Sequence, residues 1–208
     1  GVSVTFAGQI EEQEEAAVFL ISAFVAAMFL MLIILVTQFN SVYQAFLVLS
    51  AIVFSTAGVL IGALVRGEPF GVVMGGIGVI ALAGIVVNNN IVLIDTYNQL
   101  RRQEGLSPMD AILSAGAERL RPILLTSVTT ILGLLPMVLG MNIDLIGRSI
   151  SFGAPSTQWW TELSSAIAGG LTLATVLTLV LTPTLLLLGE EAGGRFRAWR
   201  DKRNAANG

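Results

Sequence analysis

Hydrophobic residues in this chain come in long unbroken runs rather than in the alternating or every-third-and-fourth pattern of a soluble domain. Five runs, over about 16–36, 45–65, 70–95, 122–140 and 163–188, each approach or exceed the roughly 20 apolar residues that a helix needs to cross a bilayer. Polar punctuation separates them. Glu11, Glu12, Glu14 and Glu15 precede the first run, Gln38-Phe39-Asn40-Ser41 makes a turn after it, and Arg66-Gly67-Glu68-Pro69 ends the second, where proline removes a backbone donor and disfavours helix in the residue before it.

Between the third and fourth runs lies the one substantial polar connection. Ser107-Pro108-Met109-Asp110 supplies an N-cap, a proline in the first turn and an acidic residue beside the helix N-terminus. Ile112, Leu113, Gly116 and Leu120 then recur at helical spacing next to Glu118, Arg119 and Arg121, which predicts a short amphipathic helix at the cytoplasmic interface. Pro122 opens the fourth span and Pro136 is expected to kink it near its far end. Residues 141–161 hold Asp144, Arg148, Gly153 and Pro155 and then Trp159-Trp160, an aromatic pair suited to the membrane interface. The predicted fold class is an all-α membrane protein, a bundle of about five transmembrane helices plus that short interfacial helix. Residues 1–15, which begin with a period-two apolar pattern, are read as the end of a truncated extramembrane domain, 16–188 as the bundle and 189–208 as a basic tail.

Composition agrees with the pattern and narrows the chemistry. With 54% hydrophobic and 12% charged residues and a mean hydropathy of +0.81, the chain belongs with polytopic membrane proteins. No Cys and no His occur in its 208 residues, so disulfides, thiolate or imidazole metal sites and histidine proton shuttles are excluded within it. No glycine-rich phosphate loop followed by Lys-Ser or Lys-Thr is present, and no cofactor is expected. The basic tail lacks an aromatic platform for nucleic acid and is read as a solvated determinant of orientation. Of the 11 Lys and Arg residues, all but Arg66 and Arg148 fall on the tail's side of a five-span topology, which makes that side cytoplasmic and puts the acidic N-terminal end outside.

The candidate chemistry sits in the third run. Asn88-Asn89-Asn90 interrupts an apolar stretch, and an amide in hydrocarbon without a partner costs on the order of 1–3 kcal/mol or more. Thr126, Ser127, Thr129 and Thr130 on the next, antiparallel span fall at about the same depth, with Thr130 and Gly133 continuing one face from Thr126. Gly75, Gly76, Gly84, Thr130 and Gly133 are candidate sites of close helix packing. Two readings stand side by side: the amides and hydroxyls join helices, or they line an ion or proton pathway through the bundle.

The motif Arg119-Leu120-Arg121-Pro122-Ile123-Leu124-Leu125-Thr126-Ser127, with the asparagine stretch of 84–95, Gln38-Phe39-Asn40-Ser41 and the opening Phe6-Ala7-Gly8-Gln9, closely resembles the permease subunits of resistance-nodulation-division efflux pumps. The resemblance implies the C-terminal membrane part of such a permease, a proton-driven antiporter of the bacterial inner membrane that exports drugs or other amphiphiles. It implies a homotrimer working with a periplasmic adaptor and an outer-membrane channel; metal-, lipid- or protein-exporting members are the alternative, as is a non-transporting assembly subunit. By the same resemblance a relay lysine of the family falls on Asn88, and the relay arginine and threonine fall on Arg119 and Thr126. An asparagine cannot supply the cation, so the expected coupling layer is Asn88, Asn89 and Thr126, hydrogen-bonded to carboxylates from outside this chain, with Arg119 contributing positive charge.

Overall fold

The computed structural model describes residues 8–67, 71–144, 149–153 and 157–206. The period-two opening, the Glu68-Pro69 break, Arg148 and Pro155 lie outside them. Five long helices account for nearly all of the described chain: α1 (Gln9–Phe39), α2 (Val42–Arg66), α3 (Val72–Gln103), α4 (Pro108–Val138) and α5 (Gln158–Ala206). All five are long and apolar enough to cross a membrane. The protein is an all-α membrane bundle.

Local chemistry sets the helix ends. Asn40 closes α1 in the left-handed region at φ 50, a conformation asparagine tolerates better than most residues. One residue on, the Ser41 side chain accepts the backbone N–H of Gln44 and starts α2. Gly67, at φ 67, ends α2 by donating its N–H to the carbonyls of Ala63 and Leu64. At the start of α4 the Ser107 hydroxyl accepts the Asp110 N–H at 3.2 Å and donates to the Asp110 carboxylate at 2.6 Å.

Two expectations change here. The interfacial helix and the fourth span are one helix, because α4 runs unbroken through Pro122. Proline costs that turn a backbone hydrogen bond, but membrane helices tolerate it where neighbouring helices and hydroxyl side chains support the turn. Likewise α5 passes through Pro183 and extends to Ala206, so the backbone of the basic tail continues the last span up to that residue. A feature the hydrophobic pattern did not predict also appears. Strands β1 (Met141–Asp144) and β2 (Ser149–Phe152) form an antiparallel hairpin, Met141 opposite Phe152 and Asp144 opposite Ser149, between α4 and α5.

Helix α5 is the hub, packing against α2, α3 and α4, while α1 touches only α2 and α3 among the described elements. Small residues set the closest approach. A Cβ on Gly58 would lie 2.9 Å from the Gly169 carbonyl oxygen, and one on Gly62 would lie 3.2 Å from Gly169 Cα, so α2 and α5 meet backbone to backbone. Gly76 receives Leu20 of α1 and Gly78 receives Ala166 of α5, and Gly75 is buried. Gly84 and Gly133 differ from the packing role expected of them: a Cβ on either meets nothing within 4 Å. At the C-terminal end of α2, Arg66 donates to the Thr161 carbonyl at 3.4 Å and to the Ser165 hydroxyl, tying α2 to α5.

Candidate functional site

Because successive residues of a helix are rotated by about 100°, three adjacent asparagines face three directions. Asn90 points into the bundle and is fully buried. Its amide N–H donates to Thr178 Oγ1 at 3.1 Å and to the Val86 carbonyl at 3.0 Å, and its oxygen accepts the Thr182 hydroxyl at 2.7 Å. The expected partner helix was α4; the partners of Asn90 come from α5. A hydroxyl pair lies near it: Thr175 gives its hydrogen to the Leu171 carbonyl at 2.7 Å, so Ser127 of α4, 2.8 Å from Thr175 Oγ1, donates to Thr175. These α5 threonines were missed, although Thr175, Thr178 and Thr182 recur at three- and four-residue spacing, the signal of one polar helix face.

Asn88 and Asn89 face elsewhere. They line an open cleft of about 410 Å³ between α3 and α4, with Gly84, Ile85, Thr126, Ser127 and Thr130 among its walls. The structure thus brings Asn88, Asn89, Thr126 and Thr130 to one place. Asn88 and Thr126 are exposed on its surface, whereas Asn89 is only 8% exposed. Neither the Asn88 nor the Asn89 side chain hydrogen-bonds another described residue. Gly84 keeps the cleft open, since it puts no side chain there.

Arg119 is not among the residues that line the cleft. Its Nε donates to Thr96 Oγ1 at 2.6 Å, and Thr96 in turn donates to the Val92 carbonyl at 2.9 Å. Thr96 is eight residues beyond Asn88, so this cation sits roughly 10 Å of helix from the asparagines. Thr129 donates to the Leu125 carbonyl at 2.7 Å and lies off the cleft. Farther along, Gln44 and Asn98 exchange amide hydrogen bonds at 2.8 and 2.9 Å, and the Tyr97 hydroxyl lies 3.1 Å from Glu190. These contacts clamp α2, α3 and α5 at the end where Arg101 approaches Glu190 at 3.9 Å.

Comparison with known proteins decides the family. The profile of the AcrB/AcrD/AcrF family matches residues 1–189. The chain belongs to this family, the resistance-nodulation-division permeases. Among its relatives is the swarming motility protein SwrC of Bacillus subtilis (strain 168), 38% identical over 161 residues, which are 77% of this chain and 14% of SwrC. Two crystal forms of a heavy metal efflux pump share the fold. One aligns with a TM-score of 0.73 at 30% identity, over 91% of this chain and 18% of the pump; the other gives 0.72 at 31%, over 88% and 17%. The chain therefore spans less than a fifth of these proteins.

Proposed function

We propose that this chain is the C-terminal membrane part of an inner-membrane export permease, a secondary transporter that moves amphiphilic compounds outward, driven by protons moving inward. Protons are the driving ion that the family resemblance implies. In this reading Asn88, Asn89 and Thr126 form the coupling layer, and Arg119, held by Thr96, is a positioning residue between α3 and α4. The observation that carries it is the uncharged polar cleft in the middle third of α3, where a transmembrane helix has no structural need for two unbonded amides. The N-terminal end lies outside and the C-terminal end in the cytoplasm. The full-length protein works as a homotrimer with a periplasmic adaptor and an outer-membrane channel.

Export of metal ions is the second reading, favoured by the likeness to the heavy metal efflux pump. This chain offers such cargo no Cys or His, and no cluster of three or more His, Cys, Asp or Glu occurs among the described residues.

The test is efflux of an amphiphilic dye from cells carrying the complete reading frame, with cation gradients intact or collapsed by ionophores, for wild type and Asn88→Leu. Loss of efflux in both the collapsed and the variant condition, at unchanged membrane levels of the protein, is expected. Efflux that survives collapse of every cation gradient overturns the secondary-transport reading, and full efflux by the variant removes Asn88 from the coupling layer.

A further inference from the structure

A separate cavity, of about 270 Å³, opens at the end of the bundle where α2 begins and α3 ends. Ser41, Tyr43 and Gln44 at the start of α2, Tyr97 of α3, and Gly189 and Glu190 of α5 line it, and it shares no residue with the α3–α4 cleft. Tyr43 reaches across to α5 because residue 189 is glycine: a Cβ there would overlap the ring at Cε1 and Cζ. The Tyr43 hydroxyl then donates to the Leu185 carbonyl, which fixes the ring on the cavity wall.

That wall is biased toward a cation. Tyr43 spends its hydroxyl hydrogen on Leu185, and Tyr97 spends its own on Glu190 at 3.1 Å, so both phenol oxygens have only lone pairs left. Glu190 is the one charged residue among those lining the cavity. Its ion pair with Arg101 is 3.9 Å long, beyond a hydrogen bond, while Arg101 gives its Nη1 to the Leu106 carbonyl at 2.6 Å. The carboxylate, 45% exposed, therefore keeps lone pairs that no protein donor fills.

The kind of cation follows from the neighbours of that carboxylate. A hard divalent ion takes several carboxylates, and no cluster of three or more His, Cys, Asp or Glu occurs among the described residues. Tyrosine rings beside one carboxylate are instead suited to an organic ammonium, held by cation–π attraction and by charge. At about 270 Å³ the cavity is smaller than the roughly 300–1,000 Å³ of pockets that enclose a whole drug-sized ligand, so it suits a head group whose chain lies outside. Phe46, one turn beyond Tyr43 on the same face of α2 and exposed, carries apolar surface from the cavity toward the middle of the helix.

We propose that this cavity binds the ammonium head of an amphiphile, with Glu190 as counter-charge, Tyr43 and Tyr97 as walls, and the apolar chain running along α2 past Phe46. A membrane lipid with an amine head and a free cationic amphiphile present this same chemistry to it.

The test uses the full-length protein with its remaining cysteines removed and Gly193→Cys introduced in the cavity lining, where a new side chain meets nothing within 4 Å. In phosphatidylglycerol vesicles the rate of labelling by N-ethylmaleimide is measured with and without added amphiphile. Dodecyltrimethylammonium is expected to slow labelling saturably, and dodecyl sulfate and dodecyl maltoside to leave it unchanged. The half-protecting concentration should rise on the order of tenfold to a hundredfold in Glu190→Gln, which loses the charge but keeps an acceptor for Tyr97. It should rise about threefold to tenfold in Tyr43→Leu and stay near the parent value in Tyr43→Phe, which keeps the ring. Glu190→Gln changes no volume, so it reports on the charge even where Tyr43→Leu fails to fold. Slower labelling when phosphatidylethanolamine replaces part of the phosphatidylglycerol, with no surfactant added, supports the site with a lipid head as its occupant; protection by the surfactant alone supports it with a free amphiphile. Equal protection by dodecyl sulfate, or protection unchanged in Glu190→Gln, overturns the ammonium assignment. Labelling that neither ammonium compound slows overturns the site.

Discussion

Three identical residues in a row meet three environments, and that contrast separates structure from function at the scale of the side chain. Asn90 satisfies its amide within the bundle, through Thr178 and Thr182; Asn88 and Asn89 do not. Asn90→Ala is therefore expected to lower the stability of the full-length protein in detergent by about 0.6–2 kcal/mol, the span of values for interhelical hydrogen bonds in membranes. A double-mutant cycle with Thr182→Val should show coupling, the second change adding little once the amide is gone. Strict additivity of the two losses would mean that the contact contributes nothing. Asn88→Ala, by contrast, removes a side chain with no hydrogen-bond partner among the described residues and should cost less in the same measurement than Asn90→Ala. The sequence shows that asparagines at this depth need partners, but not which helix provides them. That depends on the rotation of α3 about its axis, which is set by packing against α5 and by no local signal.

At the scale of the helix, glycines divide by what stands opposite them. Gly58 and Gly62 on α2 face Gly169 on α5 closely enough that any side chain must displace backbone. Gly58→Leu is expected to separate α2 from α5 and to abolish accumulation of folded protein, read as loss of a monodisperse peak after detergent extraction. Gly84→Ala and Gly133→Ala should leave that peak unchanged, because the new methyl groups meet open space. An intact Gly58→Leu protein would overturn the close-packing account. Composition cannot make this distinction, since all these glycines sit in apolar runs and differ only in their facing neighbours. The run lengths did reveal the five spans. Pro122 misled because proline ends helices in water, whereas α4 carries it mid-helix and so joins the predicted interfacial helix to the fourth span. The hairpin of 141–152 was illegible for another reason: strands of four residues each are too short for alternation to stand out from a loop.

For the whole molecule, the distribution of charge and the five-helix topology make one joint statement. Five crossings put the two ends on opposite sides, and all Lys and Arg residues but Arg66 and Arg148 collect on the side of the α3–α4 connection and the C-terminus. The absence of cysteine from this chain makes the arrangement directly testable by single-cysteine labelling in the full-length protein with its remaining cysteines removed. Gln103, exposed at the end of α3, and Gln158, exposed at the start of α5, lie at opposite ends of the bundle. On intact cells a membrane-impermeant maleimide should modify Gln158→Cys and spare Gln103→Cys; after lysis both should react. Labelling of Gln103→Cys alone on intact cells would invert the protein, and would put the inward cation gradient at the wrong face of the cleft for the export proposed here. Labelling of both on intact cells would break the five-span topology, because residues 103 and 158 are separated by the single crossing of α4.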